Sequence, residues 1–148
     1  QDNILALIQN SVNYLKSRSS SKVLFVLPFT ADDEINLPVN PALFEWVIEN
    51  VCKNGIDAME GDGEITIKVE EEEKYAIIDI SDTGKGLPKS SWKKIFSPGY
   101  TTKKRGWGLG LSLAKRIIEE YHHGRIFVKS SEPGKGTCIR IMMKTGIV

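Results

Sequence analysis

The chain has 148 residues, one domain's worth, and with 41% apolar residues it can bury a core of its own. Twenty Lys plus Arg against nineteen Asp plus Glu leave a net charge of +1. That balance gives no electrostatic case for nucleic acid or anionic lipid as a partner and makes any phosphate binding a local matter. Cys52 and Cys138 lack metal-ligand spacing and fall in an expected helix and strand. No apolar run reaches the length of a membrane span and no signal-peptide pattern stands at the start. A cytoplasmic, reducing setting without direct membrane contact is therefore expected.

Ile4, Leu5, Ile8, Val12 and Leu15 recur at helical spacing from the first residues on. With Gln1 in place of Met and no capping segment ahead of this helix, residues 1–21 are expected to be the end of an upstream helix or a connector, and 22–148 the domain. Residues 22–29 suit a short edge strand weakened by Pro28, and a very short strand is expected at 35–37. Asn40 then caps a helix with Pro41 at its first position, running to about Met59. Ile65, Ile67 and Val69 alternate with polar residues, as do Ala76, Ile78 and Ile80 after the acidic tip at 70–74, so an antiparallel hairpin is expected. Residues 83–109 form a long, glycine-rich and proline-rich loop with one turn at 91–96, a length that is usually functional. The next helix starts at Leu109, carries Leu111, Ala114, Ile118 and Tyr121 on one face, and ends with Gly124 as its C′ glycine. Strands at 125–130 and 136–144 close the domain. No regular strand-helix-strand alternation is present, so the fold class is α+β: helices on one face of a mixed, mostly antiparallel sheet.

Three places carry chemistry. Asn50, Asn54 and Asp57 share one face of the second helix, at the edge of the apolar stripe Leu43, Phe44, Val47, Ile48 and Val51. Asp82 continues the inward series Ala76, Ile78, Ile80, where an unpaired carboxylate is costly and needs a donor such as the exocyclic amine of adenine. Gly84 and Gly86 after it allow sharp turning and close approach of backbone to a flat ligand. Thr137 shares its face with Ile139, Ile141 and Met143 and can support Asp82 or a bridging water. Gly106, Gly108 and Gly110 surround a helix start, a phosphate cradle with Lys103, Lys104 and Arg105 as counter-charges. Each has a plainer reading as well. Asp before glycine is a common turn residue, asparagines cap neighbouring turns, Lys53 can pair with Glu49, and basic runs are usually solvated.

The joint order of these features resembles the ATP-binding catalytic domain of sensor histidine kinases. Asn50 and Asn54 match the N box, residues 82–86 the first glycine box, 96–103 the F box, 106–110 the second glycine box, and 134–137 the last glycine motif. Asp57 and Tyr100-Thr101-Thr102-Lys103 resemble the nitrogen- and dicarboxylate-type forms. The resemblance implies the Bergerat α/β sandwich with a long ATP lid, and ATP and Mg²⁺ as ligands. Asp82 would hold the adenine amine with Thr137 in support, and Asn54, with Asn50 beside it, would give amide oxygen to Mg²⁺. Lys53, Lys103 and the backbone at Gly108, Leu109, Gly110 and Leu111 would meet the phosphates. Gly84, Gly86, Gly106, Thr102 and Asp57 complete the nucleotide site, with Tyr100 near the ribose or lid. Gly55 stands where the family usually has Ala, and Trp107 where it has small polar residues.

By the same resemblance the reaction is γ-phosphoryl transfer to a histidine, assisted by Asn50, Lys53 and Lys103, in which positioning and charge neutralisation dominate. His122 and His123, the only histidines, sit at a helix C-terminus where imidazoles suit the dipole, so the acceptor is expected on an upstream helical domain that also dimerises the full protein. A response regulator receiver domain is the expected partner. Asn50 occupies the position of the water-activating glutamate of related ATPases, and an amide cannot act as a general base, which favours transfer over hydrolysis. The alternatives are an anti-sigma-type serine kinase and a degenerate, non-catalytic nucleotide-sensing module.

Overall fold

Alternating apolar residues build a five-stranded sheet, and the chain's helices cover one face of it. The computed structural model describes residues 1–99 and 110–146. Its strands are β1 (Asp2–Asn3), β2 (Val23–Val26), β3 (Asn36–Leu37), β4 (Gly63–Glu71), β5 (Tyr75–Asp82), β6 (Arg125–Glu132) and β7 (Gly136–Lys144). The main sheet has the order β2-β4-β5-β7-β6. Only β2 runs parallel to its neighbour, and the other three pairs are antiparallel. Ile65, Ile67, Ala76, Ile78, Ile80, Ile139, Ile141 and Met143 point from β4, β5 and β7 into the core and are almost fully buried. Each large side chain so buried contributes about 1.5–3 kcal/mol. On the other face Arg140 grips Asp79 through Nε and a terminal nitrogen, each 2.9 Å from a carboxylate oxygen.

Three helices, α1 (Ile4–Lys16), α2 (Pro41–Ala58) and α3 (Gly110–Arg116), supply the second layer. Asn40 starts α2 as expected, its side chain accepting from the Leu43 N–H at 3.0 Å, with Pro41 first in the helix. Phe44, Val47, Ile48, Val51 and Cys52 turn inward from α2. Ile4, Ile8, Val12 and Leu15 from α1 join the same core.

Three expectations change. Helix α1 is capped: Asn3 Oδ1 accepts from the N–H groups of Leu5 at 3.2 Å and Ile35 at 3.1 Å, and β1 pairs with β3. Tyr121 is 58% exposed instead of sharing the face of Ala114 and Ile118. Past Arg116 the helix widens into a π turn, Ile117–Tyr121, whose extra residue rotates Tyr121 off the buried side. The left-handed residue after that turn is His123, at φ 58°, and not Gly124. Gly124 is needed for another reason, because a Cβ there would run into the Met142 carbonyl of β7.

His122 ties the two central helices together at this end. Its Nδ1 donates to the Ile117 carbonyl at 2.9 Å and its Nε2 accepts the Asn40 N–H at 3.1 Å. A carbonyl can only accept, so the ring is the neutral form with its proton on Nδ1. This is the structural role expected of it, reached by hydrogen bonding to both helices and not through a helix dipole.

Candidate functional site

Helix α2 meets the sheet at one end of a polar seam and α3 at the other. Near its middle, Asn50 Nδ2 donates to the Trp46 carbonyl at 2.8 Å, one turn back. That bond fixes the amide, so Oδ1 is the atom presented outward, and a Cβ built on Gly110 would lie 3.1 Å from it. An acceptor oxygen thus faces the first residue of α3, with no side chain between them. Five residues on, about 7.5 Å along the helix, Gly55 lies against the end of β5. A Cβ there would come within 2.8 Å of Ile65 Cδ1, 3.1 Å of Asp82 Cβ and 3.3 Å of Asp82 Oδ2. The absence of a side chain at Gly55 is what lets the carboxylate sit against the helix.

Asp82 is only partly exposed, and its Oδ1 accepts the Gly84 N–H at 2.8 Å. The Thr137 backbone N–H also favours the charged form of this carboxylate. Burial raises the pKa of Asp82, and the two N–H groups pull against that rise. Asp82 thus closes a local turn with one oxygen, the turn-residue role, and keeps acceptor capacity on its carboxylate.

The loop after Asp82 is clamped from both sides. Lys85 N–H donates to the Ala58 carbonyl at 3.1 Å, and Gly134 N–H donates to the Lys85 carbonyl at 2.7 Å. The open side of Gly84 faces Ala58, with its carbonyl carbon and oxygen 2.7 Å from a Cβ there, and Gly86, at φ +75°, is turned to the Glu132 carbonyl. Both glycines are thus required by the packing of this loop between the end of α2 and the β6–β7 turn.

Among the other sequence-selected residues, Asn54 is half-buried on α2 between Asn50 and Asp82, whereas Lys53 and Asp57 are exposed. Burial raises the pKa of Glu49, and the charge of Lys53 one turn on opposes that rise without overcoming it. Gly110 and Leu111 open α3 beside Asn50. Phe96 and Ile95 are buried and anchor the start of the long loop. Tyr100, Thr101, Thr102, Lys103, Lys104, Arg105, Gly106, Trp107, Gly108 and Leu109 lie outside the described residues.

Ser131 had not been singled out. Its Oγ is 2.7 Å from the Leu87 nitrogen, 3.1 Å from the Gly136 carbonyl and 2.8 Å from Thr137 Oγ1. The strand register shifts between Val128 and Ser130, so Ser131 pairs with Thr137 and joins its inward face. Strict alternation from Ile126 and Val128 points Ser131 outward. The only sequence sign of it is its nearness to the glycine motif that ends at Thr137.

The acceptor amide of Asn50, the part-buried carboxylate of Asp82 and the start of α3 thus border one polar seam between the helical layer and the sheet. Residues 39–147 match the family described as histidine kinase-, DNA gyrase B-, and HSP90-like ATPase, and the chain belongs to that family. It is 39% identical over 97 residues to sporulation kinase C of Bacillus subtilis (strain 168), which covers 66% of this chain and 22% of that one. It is 35% identical over 143 residues to the sensor histidine kinase ZraS of Salmonella typhi, which covers 95% of this chain and 30% of that one. The solved catalytic domain of the histidine kinase ThkA superposes with a TM-score of 0.84 at 26% identity, covering 97% of this chain and 95% of that one. The chain spans less than a third of the length of these curated relatives. The resemblance and the α/β sandwich expected from the sequence are both borne out.

Proposed function

We propose that this domain binds Mg²⁺-ATP along the seam from Asp82 to Gly110 and presents the γ-phosphoryl group to a histidine carried by an upstream helical domain. The orientation of Asn50 is the observation that best supports this reading. Its nitrogen is spent on Trp46 O and its oxygen faces the start of α3, so it offers a hard cation an oxygen beside a phosphate-binding helix end. Asp82 accepts the adenine amine, supported by Thr137. Asn54 joins Asn50 at the metal, Lys53 meets the phosphates, and the amides of Gly110 and Leu111 hold them, as would Lys103, Gly106, Gly108 and Leu109 of the lid. A cation held there by Asn50 and Asn54 would supply charge neutralisation to the triphosphate. Because Asn50 is an amide, no side chain at that position can take a proton from water, which favours transfer to an acceptor over hydrolysis.

We propose as well a homodimer formed through the upstream helices, and a response regulator receiver domain as the final partner, a pairing supported by the complex of histidine kinase ThkA with response regulator protein TrrA. Among the described residues no helix is long and apolar enough to cross a membrane, and we place this domain in the cytoplasm. The test is calorimetric titration of ATP into wild type and Asn50→Ala, with and without Mg²⁺. The proposal requires that Mg²⁺ strengthen binding to wild type, by about 10-fold, and do so far less for the variant. Absence of saturable ATP binding to wild type would overturn it.

A further inference from the structure

A single hydroxyl proton decides what the base end of the pocket can recognise. Ser131 Oγ touches three groups: the Leu87 N–H, which can only donate, the Gly136 carbonyl, which can only accept, and the Thr137 hydroxyl, which can do either. If Ser131 gave its proton to Thr137, its oxygen would face the Gly136 carbonyl at 3.1 Å with no proton between them. Giving the proton to Gly136 satisfies all three contacts: Ser131 accepts from Leu87 and from Thr137, and donates to Gly136. The Thr137 proton is then committed to Ser131, and Thr137 shows the pocket only lone pairs. Beside it stands Asp82, whose backbone packs directly against Gly136 and whose carboxylate is itself an acceptor.

Resting on the nucleotide reading above, we infer that Ser131 is a positioning residue that fixes the Thr137 hydroxyl as an acceptor, and so makes the pocket select a 6-amino over a 6-oxo purine. Two acceptors side by side suit the two hydrogens of an exocyclic amine, directly or through a water. A 6-oxo group brings a third acceptor to the same place and is repelled. Ser131 need not touch the base for this. It acts through Thr137, and its bond to the Leu87 N–H holds the Asp82 loop at the same distance from that hydroxyl.

The experiment is titration of ADP and of inosine diphosphate into wild type, Ser131→Ala and Ser131→Thr, with thermal melting of each protein without nucleotide. In Ser131→Ala the Thr137 hydroxyl is released and can turn its proton to a 6-oxo group. The ratio of ADP to inosine diphosphate affinity is expected to narrow by about 2- to 10-fold, the worth of one neutral hydrogen bond. Ser131→Thr restores the hydroxyl and the ratio. If Ser131→Ala does not fold, Ser131→Cys, a poorer donor and acceptor of similar size, is expected to show the same narrowing. Equal weakening of both nucleotides with the ratio unchanged would make Ser131 merely structural and overturn the inference. Failure of wild type to bind ADP would overturn the nucleotide reading itself, a result distinct from an unchanged ratio.

Discussion

Replacing Asp82 by Asn keeps the shape of the side chain and removes its charge, which separates what the carboxylate does for the fold from what it does for a ligand. In the wild type Oδ1 accepts the Gly84 N–H at 2.8 Å. The amide of Asp82→Asn will keep its oxygen on that donor, leaving its NH₂ to face the pocket. An adenine amine then meets a donor where it had met an anion. A hydrogen bond to a charged group contributes about 1.5–3 kcal/mol, so at about 1.4 kcal/mol per decade ADP affinity should fall about 10- to 150-fold. The fold responds in the opposite sense. Burial raises the pKa of Asp82, so the folded state favours the protonated form. Stabilisation from that preference is complete below the ordinary aspartate value of about 3.9 and is lost as pH rises through the raised folded-state value. At pH 7 the wild type carries a part-buried anion that the variant lacks. Without nucleotide, Asp82→Asn should therefore melt higher than wild type at pH 7, and the difference should close as the solution is acidified. Calorimetry gives the affinity and a melting series from pH 3 to 7 gives the stability. Binding within twofold of wild type would refute the adenine assignment, and a lower melting temperature at pH 7 would refute the account of the buried charge.

Gly55→Ala gains about 1 kcal/mol of helix propensity and loses a similar amount to crowding, since Ile65 Cδ1 can swing away from the new methyl but Asp82 Cβ, at 3.1 Å, is held by the strand. Stability should change by less than about 1 kcal/mol while ADP affinity drops several-fold, and titration beside thermal melting separates the two. Burial alone would raise the pKa of Asp79, but Arg140 and Lys129 outweigh it and hold it below the usual range. Its stabilisation is therefore present above the ordinary aspartate value and lost as pH falls through the lowered one. Asp79→Asn should cost about 1 kcal/mol at pH 7, after allowance for solvent screening, and progressively less as the pH falls through the lowered value, as a series of urea melts across acid pH will show. Burial pushes the Cys52 thiol up to about 12, and raises that of Cys138 as well. A thiol reagent at pH 8 should label Cys138 slowly and Cys52 only after unfolding, with mass spectrometry identifying the sites.

The polar face of α2 and the inward position of Asp82 were legible because helix and strand periods place side chains by counting, and counting succeeds wherever the element is regular. It failed where regularity broke. The shift between Val128 and Ser130 turned Ser131 to the site, and the π turn at Ile117–Tyr121 moved Tyr121 to the surface. The roles of Gly84, Gly86 and Gly124 had been sought in local conformation or ligand approach. The structure assigns their bare sides to Ala58, Glu132 and Met142, neighbours far along the chain that no local pattern names. The parallel pairing of β2 with β4 is non-local in the same way. Asn3 was missed as a cap because part of its role is to hold the Ile35 N–H, 32 residues away.

The imidazole of His122 behaves mechanically as a pivot pin. It joins the first turn of α2 to the last turn of the helix that begins at Gly110, so the two helices are tongs hinged at Asn40 and His122. The arm from His122 back to Gly110 is roughly 18 Å long at 1.5 Å per residue. While the pin holds, the two helices stay tied at this end, far from where Asn50 faces Gly110. A degree of rotation about such a hinge would be magnified at the tips, where Asn50 faces Gly110.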